Sequence, residues 1–426
     1  MTDIHLLCAA DLHLGRYVPA GHGQPPYPIQ AWHRLVDHCL TSLQPIDALL
    51  LAGDIFDKDA LYIEMYGLLR QGLCRLADRG IATIAVAGNH DAAVLADFQR
   101  TLGIENFHLL GADGQWERKA FNFHGRSLHI EGVSFTASTL YSNPLHSCSR
   151  QKPPPDEPLL GLLHADVDAP PGSCYGPVKS SDFATLPHSA WLLGHIHTPR
   201  EISHTQPFVR YCGSLQGLDI TETGAHGAWL LTIAPTGAMA CTAIPLSPLR
   251  WEQLNIDLSD VEEANWQATV MRMVETALAE QLTDGAQVER LALRLNFYGR
   301  SPLFRILRRD MQRLANQEEA SIRHGGRWIP YSIESIKNNT LPPRNLKQLT
   351  QGNDLIAVLA RQLLHCQENG QLPPHLYTLV EEYLRCDPFL KQCSEAWPAE
   401  GEYCALYLSQ GFALLDELLE QKQDNL

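Results

Sequence analysis

The chain has 426 residues, 45% of them apolar and 19% charged, so it can bury a large core and is too long for one compact unit. Apolar content at this level with modest charge density excludes long disorder. The formal charge of −15 disfavours a polyanionic partner as a sum, yet Arg290 to Lys347 carries 12 Lys/Arg against 4 Asp/Glu, and Gln348 to the end carries 4 against 12, so a basic and an acidic segment stand side by side.

The first residues, Met1 to Gly15, lack a basic leader and reach Asp11 and His13 almost at once, which does not read as a signal peptide. Residues 4 to 10, 47 to 52 and 81 to 87 are apolar runs that each end in polar residues: Asp11-Leu-His13, Gly53-Asp54 and Gly88-Asn89-His90-Asp91. Helical periodicity over about 31 to 43 and 60 to 78 separates them, giving a β-α-β-α-β pattern and a buried, at least partly parallel sheet. In such sheets reactive groups collect in the crevice at the carboxyl ends of the strands, where all three polar clusters fall.

From about 107 to 246 the pattern is rich in strands, predicted at 127 to 135, 159 to 164, 190 to 194, 208 to 213, 228 to 234 and 239 to 246. Two of these end in histidines, in Gly161-Leu-Leu-His164 and Gly194-His195-Ile-His197. Loops rich in Pro and Gly at 17 to 28, 151 to 158 and 166 to 187 flank the strand ends and read as functional rims. Gly227 to Leu249 has no charge for 23 residues, but Pro235-Thr-Gly237 interrupts it, so it reads as two strands and a turn rather than a membrane span.

After Pro248 a strand at about 251 to 258 precedes a helix announced by Ser259-Asp-Val-Glu262, an alternating strand at 291 to 297, a basic helix from Pro302 and a strand near 329 to 336. Only amphipathic helical patterns follow from about 345, including 355 to 364, 375 to 384 and 405 to 419. Eleven cysteines form no CxxC pair and are odd in number, which fits reduced thiols and a cytoplasmic setting.

The strand-end residues Asp11, His13, Asp54, Asn89, His164, His195 and His197 are seven metal-ligand types, with His90 standing beside them. Seven are too many for one ion and suit two four-coordinate sites if one carboxylate bridges. Oxygen and nitrogen donors without thiolate favour manganese, iron or zinc over magnesium or calcium. Two cations about 3.5 to 4 Å apart clamp the attacking and departing oxygens of a phosphate ester and make a water nucleophilic near neutral pH. The pattern therefore points to phosphoryl transfer.

The set Asp11-x-His13, Gly53-Asp54-x-x-Asp57, Gly88-Asn89-His90-Asp91, His164 and Gly194-His195-x-His197 resembles the calcineurin-like metallophosphoesterase family. Within it the chain is similar to the SbcD-type DNA repair nucleases. The nearest likeness is to the bacterial YhaO-like branch, through Ala10 to Leu14, Leu51 to Asp57, Val209 to Gly217 and Glu222-Thr-Gly224. The resemblance implies an α/β fold: a two-layer β-sandwich flanked by helices at 1–248, a small α/β capping domain at 249–340 and a helical C-terminal region at 341–426. It implies that Asp11, His13 and His197 hold one ion, that Asn89, His164 and His195 hold the other, and that Asp54 bridges them, with manganese as the usual metal. His90 would protonate the leaving oxygen and Asp57 would orient His90. In archaeal and eukaryotic relatives the Asp57 position is often histidine, so a second catalytic imidazole is missing here.

The implied activity is a DNA nuclease, acting as an exonuclease in repair or end processing. Implied partners are DNA, a coiled-coil ATPase of the SMC-like type gripped by the C-terminal helices, and a second copy of the chain; a membrane is not among them. The arginines Arg300, Arg305, Arg308, Arg309 and Arg313 recur at helical intervals and read as a phosphate-binding face, or else as a solvated helix face. Arg16 follows the first ligand pair and reads as a phosphate contact or a surface ion pair. Two alternatives stand beside the nuclease: a phosphatase or nucleotide phosphohydrolase with the same centre, and a DNA-end-binding regulatory subunit. Protein phosphatases of the superfamily carry Glu after Asn-His and Arg after the second Asp, where this chain has Asp91 and Lys58.

Overall fold

A computed structural model describes residues 2–18, 27–58, 63–155, 157–282, 287–315, 320–386 and 400–424. The chain divides into two compact units, residues 1–254 with 277–294 and 315–335, and residues 255–276 with 295–314 and 336–426.

The first unit is built on two six-stranded mixed sheets. In one, β1 (Ile4–Ala9), β2 (Ala48–Ala52), β3 (Ala82–Val86) and β4 (Phe107–Leu109) run parallel in that order. The other sheet is seeded by β5 (Glu117–Phe123) and β6 (Arg126–Val133), an antiparallel pair. From β6 it continues in parallel through β7 (Leu159–His164), with a two-stranded ribbon of β8 (Asp166–Val167) and β9 (Pro177–Val178) after it, then β10 (Ala190–Gly194). It ends with β11 (Arg200–Ser203) and β12 (Phe208–Tyr211), in the order β11-β12-β10-β7-β6-β5. Back in the first sheet, β13 (Gly227–Ile233) and β14 (Met239–Pro245) form an antiparallel hairpin on β1. The uncharged run after Gly227 is thus two strands and a turn, and no described helix is long and apolar enough to cross a membrane.

The two-residue period of a strand explains the layering. Leu6, Cys8, Leu50 and Ile84 of the first sheet join Ile130, Leu160, Leu162 and Leu192 of the second in one buried cluster. The alternate residues Leu7, Ala9, Leu49 and Leu51 pack with Trp32, Leu35, Leu69 and Leu73 of α1 (Tyr27–Thr41) and α2 (Ile63–Ala77). On the far side of the second sheet, Leu163, Leu193 and Tyr211 pack with Phe183 and Trp191. The result is the α/β architecture of two sheets face to face with helices outside. Gly161 is required there, since a Cβ would stand 2.0 Å from the Trp191 ring.

The edge strand β5 escapes the hydrophobic pattern because Glu117-Arg-Lys-Ala-Phe-Asn-Phe123 is half polar and only partly buried. Helix α3 (Leu95–Leu102) and the short α4 (Ser180–Phe183) complete this part of the chain. A four-stranded sheet follows, ordered β15 (Leu249–Asp257), β16 (Arg290–Arg300), β18 (Arg327–Leu341), β17 (Ala320–His324). Strand β18 extends well beyond the predicted 329 to 336, since paired polar residues such as Asn338 and Asn339 carry no hydrophobic signal. Helices α5 (Trp266–Gln281) and α6 (Phe304–Ala315) come between these strands in the chain.

In the second unit, α7 (Leu346–Leu349) and α8 (Leu355–Asn369) start at side-chain caps, Asn345 and Asp354, and α8 stops at Gly370 with φ of 69°. Next come α9 (Pro374–Cys386) and α10 (Glu400–Asp424), and Ile356, Leu359 and Leu363 of α8 bury against Leu415 and Leu419 of α10.

Candidate metal centre

Every residue of the sequence-derived set sits at or just past the carboxyl end of a parallel strand: Asp11 and His13 after β1, Asp54 after β2, Asn89 and His90 after β3, His164 at the end of β7, His195 and His197 after β10. Strand pairing continues into the site, with Asp11 N donating to Gly53 O at 3.0 Å and His13 N to Asp54 O at 3.0 Å. The chain turns sharply at these points. Asp11, His13, Asp54 and His195 have φ of 49°, 44°, 50° and 97°, a region that side chains with a Cβ occupy only when the surrounding fold enforces it. Gly88 permits the closest approach, because a Cβ there would lie 2.1 Å from Asp54 Oδ1.

Two groups of donors are built on Asp11, and His13, Asp57 and His90 form another beside them. In the first, Asp11, His13 and His197 bring ligand atoms within 4.8 Å of one another. His197 Nδ1 donates to Glu222 Oε1 at 2.7 Å, and His13 Nδ1 faces Asp57 Oδ2 at 3.4 Å. The two Nε2 atoms are left facing each other at 3.1 Å. In the second, Asp11, Asp54 and His164 converge. His164 Nδ1 donates to Ala52 O at 3.0 Å, which leaves its Nε2 as a lone pair 3.0 Å from Asn89 Oδ1 and 3.5 Å from Asp54 Oδ2. With Nδ1 committed to Ala52 O, a neutral His164 turns its Nε2 lone pair toward these two oxygens, an arrangement that a bound cation completes. Together with the Asp11, His13 and His197 group, the residues present fit two metal ions.

Asp54 is central: its Oδ1 accepts from His90 N at 2.9 Å, and its Oδ2 lies 3.9 Å from His13 Nε2 as well as near His164. Burial drives its pKa upward, but His164, His13 and His90 outweigh burial and hold it below the usual carboxylate range. His195, against the His164 ring at 5.3 Å between centroids, is pushed down to about 3, by burial first and by His164 second, and is therefore a neutral imidazole. Its backbone N donates to both oxygens of Asp11, while its ring joins neither donor group. Burial opposes a charge on His197, but the Glu222 hydrogen bond and Asp11 raise it to about 9.

His90 is the most accessible member, with 20% of its side chain exposed, and its ring packs edge-on to His13 at 4.7 Å. Lys58 N approaches its Nδ1 at 3.5 Å, and its Nε2 points toward Asp54 Oδ2 at 4.0 Å. Burial lowers its pKa, partly opposed by Asp54. Asp57 lies nearer to His13 Nδ1, at 3.4 Å, than to His90 Nδ1, at 3.9 Å, and Arg16 reaches the same carboxylate at 3.6 Å. Arg16 thus stands at the rim as an ion pair with half its side chain exposed.

Two supporting residues stood in sequence motifs without an assigned role. Asp91 is fully buried and accepts from Gly88 N at 2.8 Å and Ile55 N at 2.6 Å, pinning the turns after β2 and β3 together. Burial and the neighbouring Asp54 push it up to about 6. Glu222 stood only in a branch signature, Glu222-Thr-Gly224, yet it is the hydrogen-bond partner of His197.

The basic helix is a different case. Arg300 is held bidentately by Asp416 at 2.7 and 2.6 Å, so its guanidinium is engaged within the protein. Arg305 and Arg309 are exposed on α6, while Arg308 and Arg313 lie outside the residues whose side chains are described.

A further buried group, Glu131, Cys148 and His188, also has metal-ligand composition. Arg118 places its guanidinium 3.1 Å from Glu131 Oε2, and His188 Nε2 lies 3.0 Å from the same oxygen. A cationic side chain already neutralises this carboxylate, and burial, reinforced by Glu131, pushes the Cys148 thiol up to about 12.

Comparison with known proteins agrees with this geometry. Residues 3–199 match the calcineurin-like phosphoesterase family and residues 251–341 match the middle domain of the metallophosphoesterase YhaO. The chain is 28% identical over 311 residues, 71% of its length and 73% of the relative's, to the uncharacterized metallophosphoesterase YhaO of Bacillus subtilis (strain 168). It is 25% identical over 240 residues to the DNA double-strand break repair protein Mre11 of Methanopyrus kandleri, covering 51% of each chain. Among solved structures, a dimetal phosphatase from Danio rerio aligns at 12% identity with a TM-score of 0.35, over 54% of this chain and 92% of that one. With His and Asp side chains gathered at the strand ends and two stretches of the chain matched, residues 3–199 form a calcineurin-like metallophosphoesterase domain and residues 251–341 a YhaO-type middle domain, which makes the chain a YhaO-like metallophosphoesterase.

Proposed function

We propose that the protein is a dinuclear, manganese-dependent DNA nuclease that hydrolyses phosphodiester bonds, working as an exonuclease in end processing. The observation that supports hydrolysis at phosphorus is the convergence of His164 Nε2, Asn89 Oδ1 and Asp54 Oδ2 beside the Asp11, His13 and His197 group. Asp11, His13 and His197 would hold one ion and Asn89, His164 and His195 the other, with Asp54 between. Bound divalent ions supply a nucleophile from water at neutral pH and offset the charge of the phosphate.

The chain's own groups do the rest. Glu222 anchors His197 through its Nδ1 atom, Ala52 O does the same for His164, and Asp57 stands 3.4 Å from His13 Nδ1. His90, partly exposed and with Nδ1 approached by Lys58 N, carries its neutral proton on Nε2, where it can be given to a departing oxygen. DNA as substrate is supported by the likeness to Mre11 and by the basic segment Arg290 to Lys347. Replacing exposed Arg305 by Glu is expected to weaken DNA binding and reduce the salt slope by about 1, seen by fluorescence anisotropy over a salt series.

The decisive experiment incubates purified protein with end-labelled DNA and with p-nitrophenyl phosphate, each with manganese, magnesium or chelator. Manganese-dependent shortening of DNA is the expected result. Hydrolysis of the small ester with DNA left intact would favour the phosphatase reading instead.

A further inference from the structure

Resting on the reading of the strand ends as a metal centre, we propose that Glu222 is a positioning residue for the ligand His197, fixing which imidazole nitrogen faces the ion. Glu222 lies in the loop between β12 and β13 and belongs to neither donor group, so it acts through the histidine rather than on the metal. Its carboxylate is buried, 7% exposed, and takes three hydrogen bonds. Oε1 accepts from His197 Nδ1 at 2.7 Å, and Oε2 accepts from Ser214 Oγ at 2.7 Å and from Leu218 N at 3.1 Å. A carboxylate held at both oxygens cannot swing, so the proton it takes from Nδ1 sets both the ring plane and the free nitrogen of His197.

The seat of this carboxylate is rigid. Ser214 is fully buried and donates its backbone N to His197 O at 2.8 Å, so it grips the histidine directly as well as through Glu222. The loop is fastened to β15: Gly224 N donates to Trp251 O at 3.0 Å, Trp251 Nε1 to Gly217 O at 2.9 Å, and Gln216 Nε2 to Leu249 O at 2.9 Å. The strand that opens the YhaO middle domain is thereby hydrogen-bonded to the loop that holds Glu222. A purely structural Glu222 would hold Ser214 and Leu218 alone and leave metal affinity untouched.

The test is calorimetric titration of Mn²⁺ into the metal-free full chain, for the natural protein, Glu222→Gln and Ser214→Ala, with the melting temperature of each metal-free form measured alongside. Glu222→Gln should weaken one of two binding events by about 10- to 100-fold and spare the other. Ser214→Ala, which removes one of the bonds that hold the carboxylate, should weaken the same event by a smaller factor. Two events of natural affinity in both variants would overturn the positioning role while leaving the metal centre standing. Loss of both events together with the metal-free melting transition of Glu222→Gln, with Ser214→Ala unaffected, would assign Glu222 to folding and overturn it too. A natural protein that binds no ion would overturn the metal centre itself.

Discussion

The Nε2 atoms of His13 and His197 face each other at 3.1 Å, each ring turned by a carboxylate on its far side, Asp57 for one and Glu222 for the other. Two imidazoles so arranged must share a proton or a cation between them. Stripping divalent ions with chelator is therefore expected to lower the melting temperature, and adding back Mn²⁺ at about 100 times its dissociation constant should return about 2.7 kcal/mol. Scanning calorimetry checks this, and a melting curve indifferent to chelator and Mn²⁺ would contradict it.

His90→Asn should leave metal content unchanged and reduce turnover by about 10²- to 10⁴-fold, the ordinary worth of a placed proton donor. His90 approaches Asp54 Oδ2 only to 4.0 Å and belongs with His13 and Asp57 rather than with the Asp54 and His164 donors. Elemental analysis beside steady-state kinetics separates the roles. A parallel fall in bound metal would make His90 a ligand.

Gly88→Ala drives a methyl group to 2.1 Å from Asp54 Oδ1 and 2.7 Å from Asp54 N. The expected result is a loss of about 1 to 3 kcal/mol in stability together with loss of metal binding, since the carboxylate has no room to retreat. Gly67→Ala is the matched control: it lies within α2 with nothing within 4 Å, and should gain about 0.5 to 1 kcal/mol. Urea unfolding of both variants makes the comparison.

Acid sensitivity should trace in part to Glu131. Burial pushes its pKa up, but His188 and Arg118 prevail and hold it below the normal 4.5. A depressed carboxylate contributes stability that is present above its unfolded value and lost as pH falls through its folded value. Natural protein is thus expected to lose stability from about pH 4.5 downward more steeply than Glu131→Gln. At pH 7 the variant should be weaker by about 3 kcal/mol, because Arg118 loses its buried counter-charge. Denaturant midpoints across pH test both limbs.

Much of this was legible in the amino-acid order because metal ligands at strand ends are written next to the apolar runs that place them. Ala82 to Val86 followed by Gly88-Asn89-His90 announces both the strand and its burden. What stayed hidden depends on contacts distant in sequence. Glu222 meets His197 across 25 positions, and its place in the Glu222-Thr-Gly224 signature does not reveal that contact. Asp91 stood in the Gly88-Asn89-His90-Asp91 motif without an assigned role, and the structure buries it under the turns it ties. Arg300 reads as one of five arginines on a basic run until Asp416, 116 positions on, is seen to occupy it.

The candidate ligands are drawn from both sheets: Asp11, His13, Asp54 and Asn89 follow strands of the first, and His164, His195 and His197 lie at strand ends of the second. A nascent chain released only as far as Leu159 would own four of the seven and could cage neither ion fully. For a centre so divided, cation loading is a late certificate of assembly, granted only when both β layers have formed.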